Sequence, residues 1–369
     1  MGNRTVNRLV VKVGTNLLTG GEDRLSRPQM AVIARQIARL VRDGHQVALV
    51  SSGAIVAGRQ ALEISRNGRD IPFKQVLAAV GQTRLMQVWD DLFTREQLVV
   101  AQTLLTRGDL AERQGYLNAR NTLLALMDRK VIPIINENDV VATDEIRIGD
   151  NDNLSALVAN LVDADLLILL TDQSGLYTSD PRRHSSAALI EEVPVITDDI
   201  VALAAGAGSV RGTGGMVTKV QAARLATESG ITVLVAGGMT ENVLIRAAKG
   251  DLVGTRFPTN RTRMESRKRW ILSGLAGKAA AHIDAGAVSA LARGRSLLPA
   301  GVVRVRGPFD RGDSVNIIGP EGRTIACGVA NYSAADLERI KGSKSAAISQ
   351  ILGFHLGDEV IHRNNVVML

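Results

Sequence analysis

The first two thirds of the chain alternate between short apolar runs and longer segments in which apolar residues recur every three or four positions. The short runs predict strands at Leu9–Val13, Val47–Val50, Leu98–Leu104, Val131–Ile135, Asp165–Leu170 and Ile231–Val235. The periodic segments predict helices at Val76–Phe93, Leu117–Lys130, Asn153–Val162 and Val217–Ser229. A further helix is predicted from the capping-box pattern Ser26-Arg27-Pro28-Gln29 to Gly44.

The strands of this region are apolar without alternation. Leu166–Leu170 consists entirely of leucine and isoleucine, so both faces of that strand need cover. Strands covered on both faces are typical of parallel sheets with a helix layer on each side. The pattern therefore predicts an α/β fold with an open, mainly parallel sheet and helices on both faces. Ligands of such folds bind at the carboxyl ends of the strands.

The pattern changes after Gly254. A charge-rich stretch is followed, from Gly286 onward, by short strand-like runs separated by turn signals such as Gly307-Pro308 and Gly319-Pro320. This predicts a small β-rich domain. We expect a first domain over residues 1–262, a linker over 263–278 and a second domain over 279–369.

Composition, charge and the absence of long apolar runs restrict the class of protein further. Of 369 residues, 45% are hydrophobic and 22% charged, which excludes disorder, and a single cysteine, Cys327, excludes a disulfide scaffold. The net charge of +7 belongs to the C-terminal third, because residues 256–369 carry 17 Lys and Arg against 9 Asp and Glu. With no charged-then-apolar leader and no membrane-length apolar run, we expect a cytoplasmic protein without membrane association.

A glycine-rich segment, Gly212–Lys219, leads directly into a predicted helix. Glycines let backbone N–H groups approach an anion, the helix N-terminus adds unpaired donors, and Lys219 adds a full charge. The segment is not a Walker A sequence, and by itself it is equally consistent with a loop that caps a helix. Lys12, followed by Gly14 at the end of the first strand, supplies a second lysine.

Other strand ends also carry polar groups. Ser51-Ser52-Gly53 and Thr171-Asp172 close two strands, while Asn136–Asp139 closes a third. The cluster Gly149–Asn153 precedes a helix. Each acidic cluster alone is explained by helix capping. Two of them within about fifteen residues favour a ligand site that binds an ammonium group or holds Mg²⁺ through oxygen ligands.

The residue inventory restricts the chemistry. The five histidines lie outside every motif and no zinc-ligand spacing occurs, so nothing in the sequence supports histidine-based acid–base catalysis. Two lysines, a glycine-rich anion loop and carboxylates without an obvious base suit phosphoryl transfer to an acceptor that is already ionised, such as a carboxylate with a pKa near 4.

At this point the motifs match a known family. Resemblance is carried by the runs Val11–Thr15, Ser52–Ile55, Ile135–Asp139, Gly149–Ala156, Leu170–Asp172 and Gly212–Lys219, with 296–299, 301–312 and 322–332 in the C-terminal part. The sequence resembles the bacterial glutamate 5-kinases, a family of the amino acid kinase superfamily that carries a C-terminal PUA domain. The resemblance implies the amino acid kinase fold for the first domain and a PUA domain for the second.

The resemblance also implies roles for individual residues. Lys12, Lys219 and Asp150 are expected to be catalytic; Ser52, Asp139 and Asn151 are expected to bind glutamate; and Asp152 is expected to be a ligand of Mg²⁺. ATP is expected to contact Lys12, Thr171, Asp172, Thr213, Gly214, Gly215, Met216, Val217, Thr218 and Lys219. The implied reaction converts ATP and L-glutamate to ADP and L-glutamate 5-phosphate, the first step of proline biosynthesis. Inhibition by proline and a homo-oligomer are further expectations. Arg147 stands where the family leads us to expect lysine.

Two alternatives remain open. One is another kinase of the superfamily, acting on acetylglutamate or a nucleoside monophosphate; Asp139 and Asp150 argue against it because a free ammonium group calls for nearby carboxylates. The other is an RNA-binding protein with a nucleotide sensor. The basic second domain fits RNA, but its aromatic residues are scattered rather than grouped for base stacking, so RNA binding is not favoured.

Overall fold

A computed structural model describes residues 6–64, 70–142, 151–206, 215–259 and 279–369 of the chain. The chain forms two compact units, one made of residues 1–110 and 119–261 and the other of residues 111–118 and 262–369. The boundary expected within 263–278 lies outside the described residues.

The first unit contains a seven-stranded sheet. Its strands are β1 (Arg8–Val13), β2 (Gln46–Ser51), β3 (Val100–Leu105), β4 (Ile132–Glu137), β5 (Leu166–Thr171), β6 (Thr232–Gly237) and β7 (Thr255–Phe257). The strand order is β3-β4-β2-β1-β5-β6-β7. All neighbouring pairs are parallel except β6 and β7, which are antiparallel. The prediction of an open, mainly parallel sheet is confirmed.

Helices connect these strands, as the periodic segments predicted. They are α1 (Thr15–Thr19), α2 (Arg27–Arg42), α3 (Ala54–Ala61), α4 (Ile71–Arg95), α5 (Arg107–Ala111), α6 (Arg113–Asp128), α7 (Asn151–Leu161), α8 (Asp198–Gly206), α9 (Met216–Glu228) and α10 (Val243–Lys249). Ser26 is the residue before α2, as the capping box predicted, but its side chain makes no capping hydrogen bond. At α4 the carboxylate of Asp70 does cap the helix, accepting from the backbone N–H of Phe73.

Helices α3 and α4 lie backbone to backbone. A Cβ atom on Gly81 would lie 1.7 Å from the carbonyl oxygen of Ala54, and one on Gly58 would lie 1.9 Å from that of Leu77. Both distances are far inside van der Waals contact, so only glycine fits at either position. The crossing places the middle of α4 beside the first turn of α3.

The core of the first unit packs sheet residues against α2 and α4. Leu9, Val11 and Val13 of β1 share one buried cluster with Trp89 and Phe93 of α4. The two aromatic rings stack with centroids 5.9 Å apart. None of the helices within the described ranges is both long enough and apolar enough to cross a membrane.

The second unit is β-rich, as predicted. Its five-stranded sheet has the order β12-β11-β10-β8-β9 and consists of β8 (Ala280–Ile283), β9 (Val302–Arg306), β10 (Ser314–Ile318), β11 (Thr324–Val329) and β12 (Val366–Met368). Over residues 279–369, three short α-helices accompany it: α11 (Ala285–Ala292), α12 (Ala334–Ile340) and α13 (Ile348–Leu352). Segment 111–118 belongs to this unit, and its Leu117 packs with Cys327, Val329 and Val367.

Candidate active site

The predicted site lies at one edge of the first sheet. β1, β2, β4 and β5 are parallel, so their carboxyl ends meet there. β1 lies between β2 and β5, and the chain winds outward on either side of it, which makes its carboxyl end a topological switch point. Helices α3, α7 and α9 begin at this edge and add the positive ends of their dipoles.

Two lysines meet at one carboxylate. Lys12 comes from β1 and Lys219 from the first turn of α9, while Asp152 is the second residue of α7. The Nζ atom of Lys12 lies 2.7 Å from Oδ1 of Asp152, and that of Lys219 lies 3.2 Å from Oδ2. The lysines are 4% and 5% exposed and the aspartate 0%. The buried carboxylate of Asp152 thus joins three elements that are distant in sequence: β1, α7 and α9.

The charge balance of this cluster is fixed by burial and pairing. Burial acts to raise the pKa of Asp152, but the ammonium groups of Lys12 and Lys219 outweigh it and hold the pKa below its ordinary value. The hydroxyl of Thr218 assists by donating to Oδ2 at 2.6 Å. Asp152 therefore stays ionised. Among these three described side chains, two positive charges and one negative charge sum to +1, in a place where water screens little.

The contacts of Asp152 do not fit the expected Mg²⁺ role. Both carboxylate oxygens are occupied, one by Lys12 and the other by Thr218 and Lys219. A divalent cation bound there would stand against two ammonium groups in a buried site. We therefore describe Asp152 as a group that positions the lysines. Within the described ranges, no cluster of three His, Cys, Asp or Glu side chains is arranged to hold a metal ion.

A neutral hydrogen-bond network lies beside the charged cluster. The side-chain nitrogen of Asn151, the first residue of α7, donates to Oδ1 of Asn136 at 2.8 Å and to the hydroxyl of Ser52 at 2.9 Å. Asn136, in β4, donates in turn to Oε1 of Gln82 at 2.9 Å. The network joins the ends of β2 and β4 to α7 and α4. Two of the expected glutamate ligands, Ser52 and Asn151, are in direct contact.

Ser51 links the end of β2, next to this network, to α4. Its hydroxyl accepts a hydrogen bond from Nε1 of the buried Trp89 at 2.9 Å and donates to the carbonyl oxygen of Ser52 at 3.0 Å. The end of β2 is thereby attached to the core of α4. Because the next residue is Gly53, with φ of +108°, the backbone turns sharply here into α3.

Asp139, the third expected glutamate ligand, lies two residues beyond β4 and is half-buried. Burial raises its pKa to about 6. No described residue donates a hydrogen bond to it or forms an ion pair with it. A carboxylate that has lost water without gaining a partner is destabilised, and an ammonium group would restore the lost interactions.

The expected nucleotide ligands lie on the other side of Lys12. Thr171 ends β5, and its hydroxyl donates to Oδ1 of Asp172 at 3.0 Å. Asn16 donates to the other oxygen of that carboxylate at 3.4 Å. Gly215 immediately precedes α9, and Met216 and Val217 form its first turn with Thr218. Asp150, Thr213, Gly214 and Arg147 lie outside the described residues.

No role was predicted from the sequence for two residues of the network, Asn136 and Gln82. Asn136 lies in the motif Asn136–Asp139, so its position at the end of a strand could have indicated a role in the site. Gln82 had no signal, because it lies in the middle of α4 within an ordinary helical pattern. Its role depends on a tertiary contact with β4.

Comparison with known proteins assigns both parts of the chain to families. The amino acid kinase family matches residues 7–237 and the PUA domain matches residues 280–352. The chain is 55% identical to glutamate 5-kinase of Herpetosiphon aurantiacus over 361 residues, covering 98% of both chains. It is 51% identical to glutamate 5-kinase of Dehalococcoides mccartyi over 373 residues, covering 100% of both.

Among solved structures, UMP kinase of Bacillus anthracis aligns with a TM-score of 0.48 at 16% identity, covering 70% of this chain and 98% of that one. The family assignment depends on the sequence matches alone, which extend over both units. The chain belongs to the glutamate 5-kinase family, within the amino acid kinase family.

Proposed function

We propose that the protein transfers the terminal phosphoryl group of ATP to the side-chain carboxylate of L-glutamate, the first step of proline biosynthesis. The observation that carries the proposal is the convergence of Lys12 and Lys219 on the buried carboxylate of Asp152 beside a hydrogen-bond network of amides and hydroxyls. One end of the site is built for a charged phosphate and the other for a small polar acceptor.

At the phosphate end, the chemistry is charge neutralisation and positioning. Phosphoryl transfer develops negative charge on the transferred group and the leaving oxygen, and protein groups act by stabilising that charge. Asp152 fixes both ammonium groups in advance, so they need not reorganise during the reaction. The start of α9 adds backbone N–H donors next to Lys219.

No general base is required at the acceptor. The side-chain carboxylate of glutamate has a pKa near 4.3 and is ionised at neutral pH, so it can attack phosphorus without losing a proton. This agrees with the absence of histidine from every motif of the site. The protein's task is to hold two anions close together, and the net positive charge around Asp152 suits it.

The acceptor end favours an amino acid with a free ammonium group. Asp139 is ionised above about pH 6 and has no partner among the described residues, so an ammonium group would find an unpaired acceptor there. An acetylated amine carries no charge and gains less from this carboxylate. We expect ATP to enter as its Mg²⁺ complex, while both oxygens of Asp152 face the lysines and Thr218.

We also propose that proline inhibits the enzyme by competing with glutamate. Proline carries the same α-carboxylate and a positively charged amine, so it presents the same two charged groups to Asp139 and the amide network. It lacks the side-chain carboxylate that receives the phosphoryl group, so it binds without reacting.

The second unit fits a PUA domain by sequence, and we propose the division into a kinase domain at 1–262, a linker at 263–278 and a PUA domain at 279–369. RNA binding by this domain is not favoured. Of its aromatic residues, Phe309 and Tyr332 are buried, which leaves Phe354 exposed on its own in the described part of the domain.

A hydroxylamine trap tests the proposed reaction. Acyl phosphates react with hydroxylamine to give hydroxamates, so the assay identifies the acceptor directly. With ATP we expect a hydroxamate from L-glutamate and little or none from N-acetylglutamate or L-aspartate. A product from N-acetylglutamate alone would overturn the assignment. Added proline should raise the KM for glutamate, and inhibition that excess glutamate fails to relieve would contradict the competitive model.

A further inference from the structure

Two buried atoms of the neutral network have no hydrogen-bond partner among the residues that the structure describes. They are Nε2 of Gln82, a donor, and Oδ1 of Asn151, an acceptor. Leaving a buried polar atom unsatisfied costs about 1–3 kcal/mol, so native proteins rarely keep such atoms without a purpose. A donor and an acceptor in one network, joined through Asn136, match a ligand that carries an anion and an ammonium group.

The orientation of the amides follows from a backbone group. The N–H of Glu137 donates to Asn136 at 2.9 Å, and a backbone N–H can only donate, so the atom facing it is the carbonyl oxygen of Asn136. The nitrogen of Asn136 must then face Gln82, which presents its own oxygen in return. By the same logic the nitrogen of Asn151 faces the oxygen of Asn136. The –NH₂ group of Gln82 is thus left without a partner among the described residues.

The position of Gln82 suits the end of the acceptor that does not react. It follows Gly81, whose backbone touches the first turn of α3, and it contacts Asn136 at the end of β4. β4 is two strands from β1, which carries Lys12, and two strand spacings are about 10 Å. A dicarboxylic amino acid lying along this edge would direct one carboxylate to the lysines and the other toward Gln82.

We propose that Gln82 binds the α-carboxylate of the acceptor amino acid through Nε2 while its Oε1 holds Asn136 in place. Oδ1 of Asn151 would then share the α-ammonium group with Asp139. This inference rests on the proposed function, because it assumes an amino acid with two carboxylates. It assigns Gln82 to substrate specificity, separate from the lysines that act on phosphate.

The test compares two substitutions that remove different parts of Gln82. Gln82→Glu keeps an oxygen for Asn136 but replaces the donor by a negatively charged acceptor, which repels a carboxylate. Gln82→Met removes both groups at similar volume. We expect KM for glutamate to rise at least tenfold in Gln82→Met and further in Gln82→Glu, with KM for ATP within twofold of wild type. The matched control is Gln87→Glu, which adds the same charge at an exposed position of the same helix.

The outcomes separate the inference from the function it rests on. If wild-type protein forms no hydroxamate from glutamate, the proposed function fails whatever Gln82 does. If wild type is active and Gln82→Glu leaves KM for glutamate within twofold, Nε2 does not bind the substrate and the inference is overturned. Should Gln82→Glu fail to fold, an unchanged KM in Gln82→Met is equally decisive. If Gln87→Glu raises KM for glutamate as much as Gln82→Glu does, the added negative charge on α4 explains the effect, and the inference is also overturned.

Discussion

The two ends of the candidate site are built from different interactions: the lysine end is the cluster of Lys12, Lys219 and Asp152, and the amide end is the network of Asn136, Asn151 and Ser52. At the lysine end, three full charges are buried together, and Asp152 is 0% exposed. At the amide end, Asn136, Asn151 and Ser52 are neutral groups joined by hydrogen bonds of 2.8–2.9 Å. Charges act over distance and tolerate small displacements, whereas hydrogen bonds depend on angle and lose most of their strength when misaligned. The lysine end is thus suited to stabilising charge during phosphoryl transfer, and the amide end is suited to discriminating between acceptors.

Substitution of Asp152 should have the largest effect, because it removes a buried carboxylate that contacts both lysines. In Asp152→Asn we expect kcat to fall by 10³ or more and the free energy of unfolding to drop by about 3–5 kcal/mol, since two buried ammonium groups lose their counter-ion. Urea titration and steady-state kinetics measure the two quantities.

The matched control is Asp91→Asn, which breaks the exposed pair with Arg27. Exposed pairs contribute about 0–1 kcal/mol, so this variant should be nearly wild type. Equal destabilisation by the two substitutions would contradict the distinction between a buried charged cluster and a surface ion pair.

Lys219→Ala should lower kcat by about 10² or more, because it removes one cation aimed at the developing charge while leaving the Lys12–Asp152 pair intact. KM for glutamate should change little if the two ends act separately. Lys249→Ala, at the exposed end of α10, is the control. Near-normal turnover in Lys219→Ala would remove this lysine from the catalytic assignment.

Asp139→Asn should act on the other end alone. Loss of the carboxylate proposed to face the ammonium group should raise KM for glutamate by about tenfold or more, with kcat and KM for ATP largely retained. Steady-state kinetics with each substrate varied in turn measures the split. A raised KM for ATP with an unchanged KM for glutamate would mean that the two ends have been assigned in reverse.

The smallest expected effect is a pH dependence confined to the amide end. Because the pKa of Asp139 is raised to about 6 in the free protein, the carboxyl is increasingly protonated below that pH and no longer attracts an ammonium group. We expect kcat/KM for glutamate in wild type to fall below pH 6 toward the value of Asp139→Asn, and to stay flat over the same range in Asp139→Asn. A pH profile unaltered by the substitution would assign the titration to another group.

The raised pKa of Asp139 also makes the stability of the folded protein depend on pH. The folded protein without substrate binds a proton at Asp139 more tightly than the unfolded chain does, so the free energy of unfolding contributed by this group falls as pH rises from about 4 to about 6. Above pH 6 the carboxyl of Asp139 is ionised, and the resulting loss of free energy of unfolding is complete. Bound glutamate should remove it, and glutamate should therefore raise the Tm more at pH 7 than at pH 5.

The sheet could be predicted well because its signal is local. Each parallel strand is a run of buried apolar residues; Leu166–Thr171, for example, is buried at every position and was found within one residue. β3 was placed less accurately, starting at Val100 rather than Leu98, because it is an edge strand that is only partly buried. Lys12 and Lys219 were identifiable as a pair because glycine-bearing strand ends and helix starts mark anion sites.

The partners of these side chains could not be predicted. That Asp152 holds both lysines depends on the contact between α7 and α9, whose side chains meet across 66 positions of sequence. Oxygen-rich clusters fit Mg²⁺ and lysine equally well on composition, and only the distances separate the two. Gln82 lies in a long helix with no motif, so nothing short of the fold reveals that it reaches β4.

The glycines at the crossing of α3 and α4 have a consequence for how acceptor preference can change. With no room for a methyl group at Gly58 or Gly81, the separation of the two helices is set by main chain against main chain. A larger residue at either position would tilt α4 and carry Gln82 and Trp89 with it. With the role proposed for Gln82, selectivity for the amino acid also depends on two residues that have no side chain, and a change of preferred acceptor can arise there without altering any group proposed to contact it.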